Sequence, residues 1–153
     1  MIEAIKTFLK ELMSGDRRER DFAEQDLRLA AAALLYHVVA VDGAISNQER
    51  ESLSALLMRQ FKLDENAADG LVDAAEIADK EAVDFYEFTS VLRWRLDEAE
   101  REQIVGMMWQ LVYADGAVHE FEDNVIWRVA ELLGVSTQAR MRLRRSVRDD
   151  LES

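Results

Sequence analysis

The 153-residue chain contains no cysteine and no proline, and it has only two histidines and six glycines. Without cysteine it cannot form a disulfide, a thiolate metal site or a cysteine nucleophile. Without proline, no imide interrupts its helices. The sequence also lacks a G-x-S-x-G elbow, a glycine-rich phosphate loop and an H-E-x-x-H helix, which are common signatures of nucleophilic, phosphoryl-transfer and zinc enzymes. We therefore expect a protein that is not an enzyme.

Positive charge is also scarce, since 31 acidic residues oppose 19 basic ones and the formal net charge is −12. Such a protein repels phosphate backbones and attracts cations and basic proteins, so we expect no nucleic-acid partner. The segment 64–102 is especially acidic, with thirteen Asp or Glu against four Lys or Arg. We interpret it as a solvated face; the alternative is a docking surface for a protein partner.

Long hydrophobic runs are absent as well. The longest one, from Leu29 to Val41, is interrupted by Tyr36 and His37 and is shorter than the ~20 residues that a membrane span needs. It is typical of a buried core helix, and 49% hydrophobic residues are enough for a substantial core. The first residues do not resemble an export signal, so we expect a cytoplasmic protein.

Helical periodicity runs through nearly the whole chain, and no window alternates apolar and polar residues as a strand would. Start and stop signals divide the chain into segments. The predicted starts are Ser46 with Glu49, Asp64, Asp84 with Glu87, and Ser136, and a predicted left-handed stop is Gly134. We predict an all-α protein of about seven to eight helices. Its three tryptophans, Trp94, Trp109 and Trp127, are expected in the core or in grooves.

One eight-residue phrase occurs twice, at 42–49 and at 115–122, and both copies read D-G-A-[IV]-x-x-x-E. At the same offset of 73 residues, apolar positions such as Leu53 and Ile126 also coincide. We predict an internal duplication, with repeat one over about 21–80 and repeat two over about 97–150. The apolar arms that precede the two phrases should pack against each other near the centre.

Two further predictions concern the N-terminal residues and the histidine of the first apolar arm. Residues 1–15 form a predicted peripheral amphipathic helix, which Ser14 and Gly15 separate from a single domain over 16–153. With Lys6 and Lys10 this helix would bind a membrane only weakly. His37, inside the first apolar arm, matches Gln110 in repeat two, and we interpret it as a hydrogen-bonded structural residue.

The phrase matches only the second half of an EF-hand calcium loop. The first and third ligand positions of such a loop would be Val38 and Ala40, or Leu111 and Tyr113, none of which carries a carboxylate. We therefore reject a complete EF-hand.

The duplicated phrase, the alanine-rich arm before its first copy and the acidic helical chain resemble the TerB-like family. This is the tellurite-resistance-associated helical domain that is also related to the N-terminal domain of the DjlA co-chaperones. The resemblance covers about 21–150 and implies a helical bundle with internal pseudo-twofold symmetry. It also implies a divalent-metal site, which by position would consist of Asp42, Glu49, Asp115 and Glu122.

Two interpretations of these four residues remain open. In one, the chain is a stress- or membrane-associated binding module whose phrases bind a divalent cation such as Ca²⁺, Mg²⁺, Mn²⁺ or Zn²⁺. In the other, the aspartates form turns, the glutamates cap helices, and the chain is a metal-independent acidic interaction domain. A metal-dependent hydrolase is a distant third, because no base and nucleophile pair is evident.

Overall fold

The computed structural model describes residues 17–40, 45–82, 86–114 and 120–152. These residues form seven α-helices, and within these ranges there is no β-strand. The helices are α1 (Arg17–Val39), α2 (Asn47–Phe61), α3 (Glu65–Glu81), α4 (Tyr86–Arg95), α5 (Glu98–Tyr113), α6 (Glu120–Leu132) and α7 (Thr137–Glu152). The predicted all-α class is confirmed.

The predicted helix starts at Ser46, Asp64 and Ser136 are confirmed by side-chain caps. The Asp64 carboxylate accepts a hydrogen bond from the backbone N–H of Ala67 at 2.8 Å, and Ser136 Oγ accepts one from Ala139 at 3.1 Å. Each cap satisfies a backbone donor that the first turn leaves without an intrahelical partner. The predicted box at Asp84 and Glu87 falls partly outside the described residues, since 83–85 are not among them.

Gly134 ends α6 in the left-handed conformation, with φ +76°, as its position in the sequence predicts. Its N–H donates to the carbonyl of Glu131 at 3.0 Å, and the N–H of Val135 donates to Ala130 at 2.8 Å. These two bonds constitute a Schellman motif, which satisfies carbonyls at the helix end.

Helix α1 is the central element of the bundle and packs against α2, α3, α4, α5 and α6. Its apolar run is buried on all sides over Leu29–Tyr36, which explains why that run lacks a polar face. The contact between α1 and α5 confirms that the two apolar arms meet in the core. None of the helices in the described ranges has the length and hydropathy needed to cross a membrane.

The duplication is visible in the packing. A shift of 73 residues moves the apolar part of α1 onto α5, α2 onto α6, and α3 onto α7. The helix contacts repeat under the same shift. The pair α1–α3 corresponds to the pair α5–α7, and the pair α2–α3 corresponds to the pair α6–α7. The pair α2–α5 corresponds to the pair α1–α6, so each repeat makes the same contact with the other. Helix α4 has no equivalent and packs against α1 and α6. The structure thus has the internal pseudo-twofold symmetry that the resemblance implies.

The tryptophans were predicted in the core or in grooves, and they differ in burial. Trp109 is fully buried in α5, whereas Trp94 on α4 is 85% exposed and Trp127 on α6 is 43% exposed. Trp94 is therefore not a core residue, and it lines a surface cleft instead. Phe88, Val91 and Leu92 already supply the buried face of α4, and Trp94 follows Leu92 by two residues, which is about 200° around the helix.

The predicted peripheral helix over 1–15 lies outside the described residues. The division into that helix and a domain over 16–153 stays a prediction. From residue 27 onward, all seven helices contribute side chains to one continuous hydrophobic core.

Candidate functional site

The two repeated phrases occupy equivalent helix connections, the first between α1 and α2 and the second between α5 and α6. Asp42 and Asp115 lie outside the described residues, which omit 41–44 and 115–119. Glu49 is in the first turn of α2. Glu122 is in the first turn of α6, but its side chain is not among those described.

Glu49 takes part in a capping box with Ser46, as predicted. The Ser46 N–H donates to Glu49 Oε1 at 2.9 Å, and the Glu49 N–H donates to Ser46 Oγ at 3.1 Å. One carboxylate oxygen of Glu49 is therefore engaged in holding the start of α2. The other oxygen is the one that this residue can offer to a cation.

The ligand set predicted for a metal remains a prediction. Among the described side chains, no group of three or more His, Asp or Glu residues is arranged to hold a metal ion. Three of the four predicted ligands are not described, so Glu49 alone can be compared with a metal site. Its free carboxylate oxygen is a ligand type that hard divalent cations prefer, but one oxygen is far from a complete coordination shell.

A polar contact next to the first phrase involves His37, near the end of α1. His37 Nδ1 and Asp79 Oδ1 on α3 are 2.8 Å apart, and both side chains are less than one third exposed. This contact gives His37 the hydrogen-bond partner that we expected for a polar residue in an apolar arm. It ties the end of α1 to α3.

Arg50, one residue after Glu49, joins α2 to α3. It pairs with Asp73 and, at 3.4 Å, with Glu76, which also accepts a hydrogen bond from Lys80 Nζ at 2.9 Å. This hydrogen bond and the charge of Glu76 raise the pKa of Lys80 above its usual value. Nearby, burial first and then the negative charge of Glu76 raise the pKa of the Tyr36 hydroxyl.

The second phrase has a network of its own around Arg144 on α7. Arg144 Nε donates to the Tyr113 hydroxyl at 2.9 Å, and Nη1 lies 3.3 Å from Asp123 Oδ1 on α6. The guanidinium carbon is 5.1 Å from the centroid of a Trp109 ring, in cation–π geometry. The hydrogen bond to Tyr113 is the main reason that the pKa of Arg144 is raised. Arg144 thereby ties α5, α6 and α7 together.

Neither network was predicted from the sequence. Apart from Lys80 and Glu76, which lie four residues apart on α3, the partners are separated by 21 to 42 residues along the chain, so local spacing carries no signal for those pairs. The offset of 73 residues gives one clue, because Arg50 and Asp123 are equivalent positions, each one residue after the glutamate of a phrase.

Comparisons with known proteins agree with the fold. A family model described as tellurite resistance protein TerB matches residues 28–145. A crystal structure of a protein of unknown function from Porphyromonas gingivalis W83 is similar, with a TM-score of 0.59 and 18% sequence identity. The similarity covers 80% of this chain and 94% of that one, and at such low identity it concerns the fold alone. No curated protein matches the chain.

Proposed function

The chain belongs to the TerB family, and from this premise we propose that it is a non-enzymatic binding module whose two D-G-A phrases together bind a divalent cation. The observation that carries the proposal is the duplication of α1–α2 as α5–α6, with a phrase at each connection and direct contact between α1 and α5. Two acidic phrases at equivalent helix connections of a duplicated chain can share one ion between them.

The chemistry of the phrases favours a shared site over two separate ones. Ca²⁺ takes six to eight oxygen ligands, and Mg²⁺ keeps several waters beside a few carboxylates. One phrase supplies one aspartate and the oxygen of Glu49 that its cap leaves free, or the equivalent pair Asp115 and Glu122. Two phrases and water complete a shell that one phrase cannot. We expect modest affinity, because ligands on two connections are less preorganised than a complete calcium loop.

Thermal unfolding with and without Ca²⁺, Mg²⁺, Mn²⁺ or Zn²⁺ tests the proposal. An ion that prefers the folded state must raise its stability by mass action, by about 2.7 kcal/mol at one hundred times Kd. The double variant Asp42→Asn with Asp115→Asn should lose this gain and keep the melting point measured in chelator. The matched control is Glu51→Gln with Glu131→Gln, which removes two exposed charges outside the phrases.

Two results would contradict the cation site. One is that none of the four ions raises the melting point. The other is that the double Asp variant is as strongly destabilised in chelator as in any ion, since the aspartates would then act only in turns.

The alternative is a metal-independent domain that binds a basic protein partner. Helix α3 favours it, because this helix carries six acidic residues and one lysine, and its Asp69 and Asp73 are exposed. Binding to a basic partner that persists in chelator and weakens with salt would support this alternative. For either function we propose a cytoplasmic protein with a stress- or membrane-associated role, any membrane contact being weak and made through residues 1–15.

A further inference from the structure

A second feature of interest is a surface cleft of about 410 Å³ between α4, the start of α5 and the end of α6. It belongs to neither repeated phrase, because α4 has no equivalent in the duplication. The lining residues are Tyr86, Ser90, Arg93, Trp94, Arg101 and Leu132. Two of the six are arginines and none is acidic, although the whole protein carries a net charge of −12.

The two arginines meet at Gly134. A Cβ atom on Gly134 would lie 2.8 Å from Arg101 Nη1 and 3.5 Å from the guanidinium carbon of Arg93, so both cationic groups border the same point. Arg101 is held in place, because Nη1 donates to the carbonyl of Leu133 at 2.9 Å and Nε donates to that of Asp97 at 3.2 Å. The carbonyl end of α6 offsets part of the repulsion between the two charges.

Neither guanidinium forms an ion pair with a carboxylate in the described part of the chain. In the same part, the arginines of α2 and α7 that join helices do have such partners. Two adjacent guanidinium groups favour a planar carboxylate, to which they donate charge-assisted hydrogen bonds.

The other side of the cleft is aromatic and apolar. Trp94 is 85% exposed and Tyr86 is 59% exposed. Tyr86, Ser90 and Trp94 are spaced four residues apart and therefore lie on one face of α4. An exposed tryptophan beside charged donors is typical of residues that dominate protein interfaces.

We propose that this cleft binds a short acidic peptide segment, with its carboxylate on Arg93 and Arg101 and a large apolar side chain against Trp94. Charge complementarity selects this occupant, since the cleft is a cationic site on an acidic protein. A nucleic acid would bring a long row of phosphates against the remaining negative surface, whereas a peptide brings only a few charges. A second copy of the chain would bring another net charge of −12.

The probe is the acetylated and amidated hexapeptide EDLFDE, titrated into the full chain by calorimetry and by NMR of the indole N–H signals. We expect a Kd of about 1 mM or tighter, and a shift of the Trp94 indole signal that saturates with the same Kd. The neutral peptide QNLFNQ and the apolar-free peptide EDGGDE should each bind at least tenfold more weakly.

The variants Arg93→Gln and Trp94→Ala should each weaken binding about tenfold, which corresponds to about 1.4 kcal/mol. Arg145→Gln on α7 is the matched control, because it removes an exposed arginine outside the cleft and should leave the Kd unchanged. Circular dichroism should be the same for all variants, since Arg93, Trp94 and Arg145 are exposed.

Four outcomes would overturn the proposal. They are no detectable binding of EDLFDE, binding that Arg93→Gln and Trp94→Ala leave unchanged, tighter binding of a hexanucleotide than of the peptide, and a dimer in sedimentation that Trp94→Ala dissociates. All measurements are made in chelator, so failure here leaves the cation proposal standing, and loss of cation binding leaves the cleft proposal standing.

Discussion

The two repeats share a helix order and a packing pattern, but their last helices carry opposite charge. Helix α3 contains six acidic residues and one lysine, whereas its equivalent α7 contains five arginines and three acidic residues. The ion pairs that tie these helices to their neighbours are reversed in the same sense. Arg50 on α2 pairs with carboxylates on α3, while Asp123, its equivalent on α6, pairs with Arg144 on α7.

This reversal shows that the two repeats share their core positions but not their surface charges. The apolar positions that face the core are kept, since Leu53 and Ile126 are equivalent and both fully buried. An ion pair joins the second and third helix of each repeat, and either helix can carry the positive charge. Surface charge is therefore free to differ between the repeats, and it gives the molecule an acidic helix and a basic one at equivalent places.

The largest expected effect on the free energy of unfolding comes from a substitution in the core of repeat two. Trp109 and Tyr36 are equivalent, and Trp109 is one of the largest fully buried side chains of the described residues. Trp109→Ala should lower the free energy of unfolding by about 3–5 kcal/mol through the cavity it leaves. Trp94→Ala is the matched control, because Trp94 is 85% exposed, and its effect should stay within about 0.5 kcal/mol. Urea unfolding measures both, and comparable losses would show that Trp109 does not anchor the second repeat.

Much of this architecture could be predicted from the sequence. A helix start can be predicted from two residues three positions apart, as at Ser46 and Glu49. The central helix can be predicted from its continuous apolar run. The stop at Gly134 follows from the freedom of glycine at positive φ. These signals are local, so a single sequence contains them.

The parts that could not be predicted are contacts between distant segments. Periodicity indicates which face of a helix is buried, but not which neighbour covers it, so the contact of His37 with Asp79 has no local signal. The exposure of Trp94 follows from the register of α4, whereas its hydrophobic character alone left the core and a groove as alternatives. For the candidate site, the capping role of Glu49 was foreseen, and the ligand role of Asp42, Glu49, Asp115 and Glu122 remains a prediction.

The reversed ion pairs should also differ in strength. Arg144→Met removes a hydrogen bond to Tyr113, an ion pair with Asp123 and a cation–π contact, so we expect a loss of about 1–3 kcal/mol. Arg50→Met removes ion pairs whose partner Asp73 is 66% exposed, so we expect about 0.2–1 kcal/mol. Urea unfolding in low and high salt measures both effects. An equal loss in the two variants would mean that the aromatic partners of Arg144 add nothing.

The ends of the second helix in each repeat offer a smaller test. Gly134 and Lys62 both adopt positive φ, +76° and +54° respectively. Gly134→Ala should cost about 1–2 kcal/mol for the left-handed conformation, with some addition because the new Cβ would meet Arg101. Lys62→Gly should instead stabilise the protein by up to about 1 kcal/mol. Thermal unfolding should show a lower melting point for Gly134→Ala and a higher one for Lys62→Gly. A shift of both melting points in the same direction would contradict this explanation.

The smallest expected effect is a dependence of stability on pH that comes from Tyr36 and has no counterpart at its equivalent position, Trp109. Burial and the charge of Glu76 raise the pKa of the Tyr36 hydroxyl above its usual value of 10.0, so the folded state holds this proton more tightly than the unfolded state. The resulting stability is complete below pH 10 and is lost as the pH rises through the folded pKa. The difference in stability between the wild type and Tyr36→Phe should therefore be constant below pH 10 and should fall as the pH rises above 10, as measured by urea unfolding. Trp109→Phe, at the equivalent position of repeat two, is the control, because neither side chain titrates and its difference from the wild type should stay constant. A constant difference for Tyr36→Phe as well would show that the Tyr36 hydroxyl has the same pKa in both states.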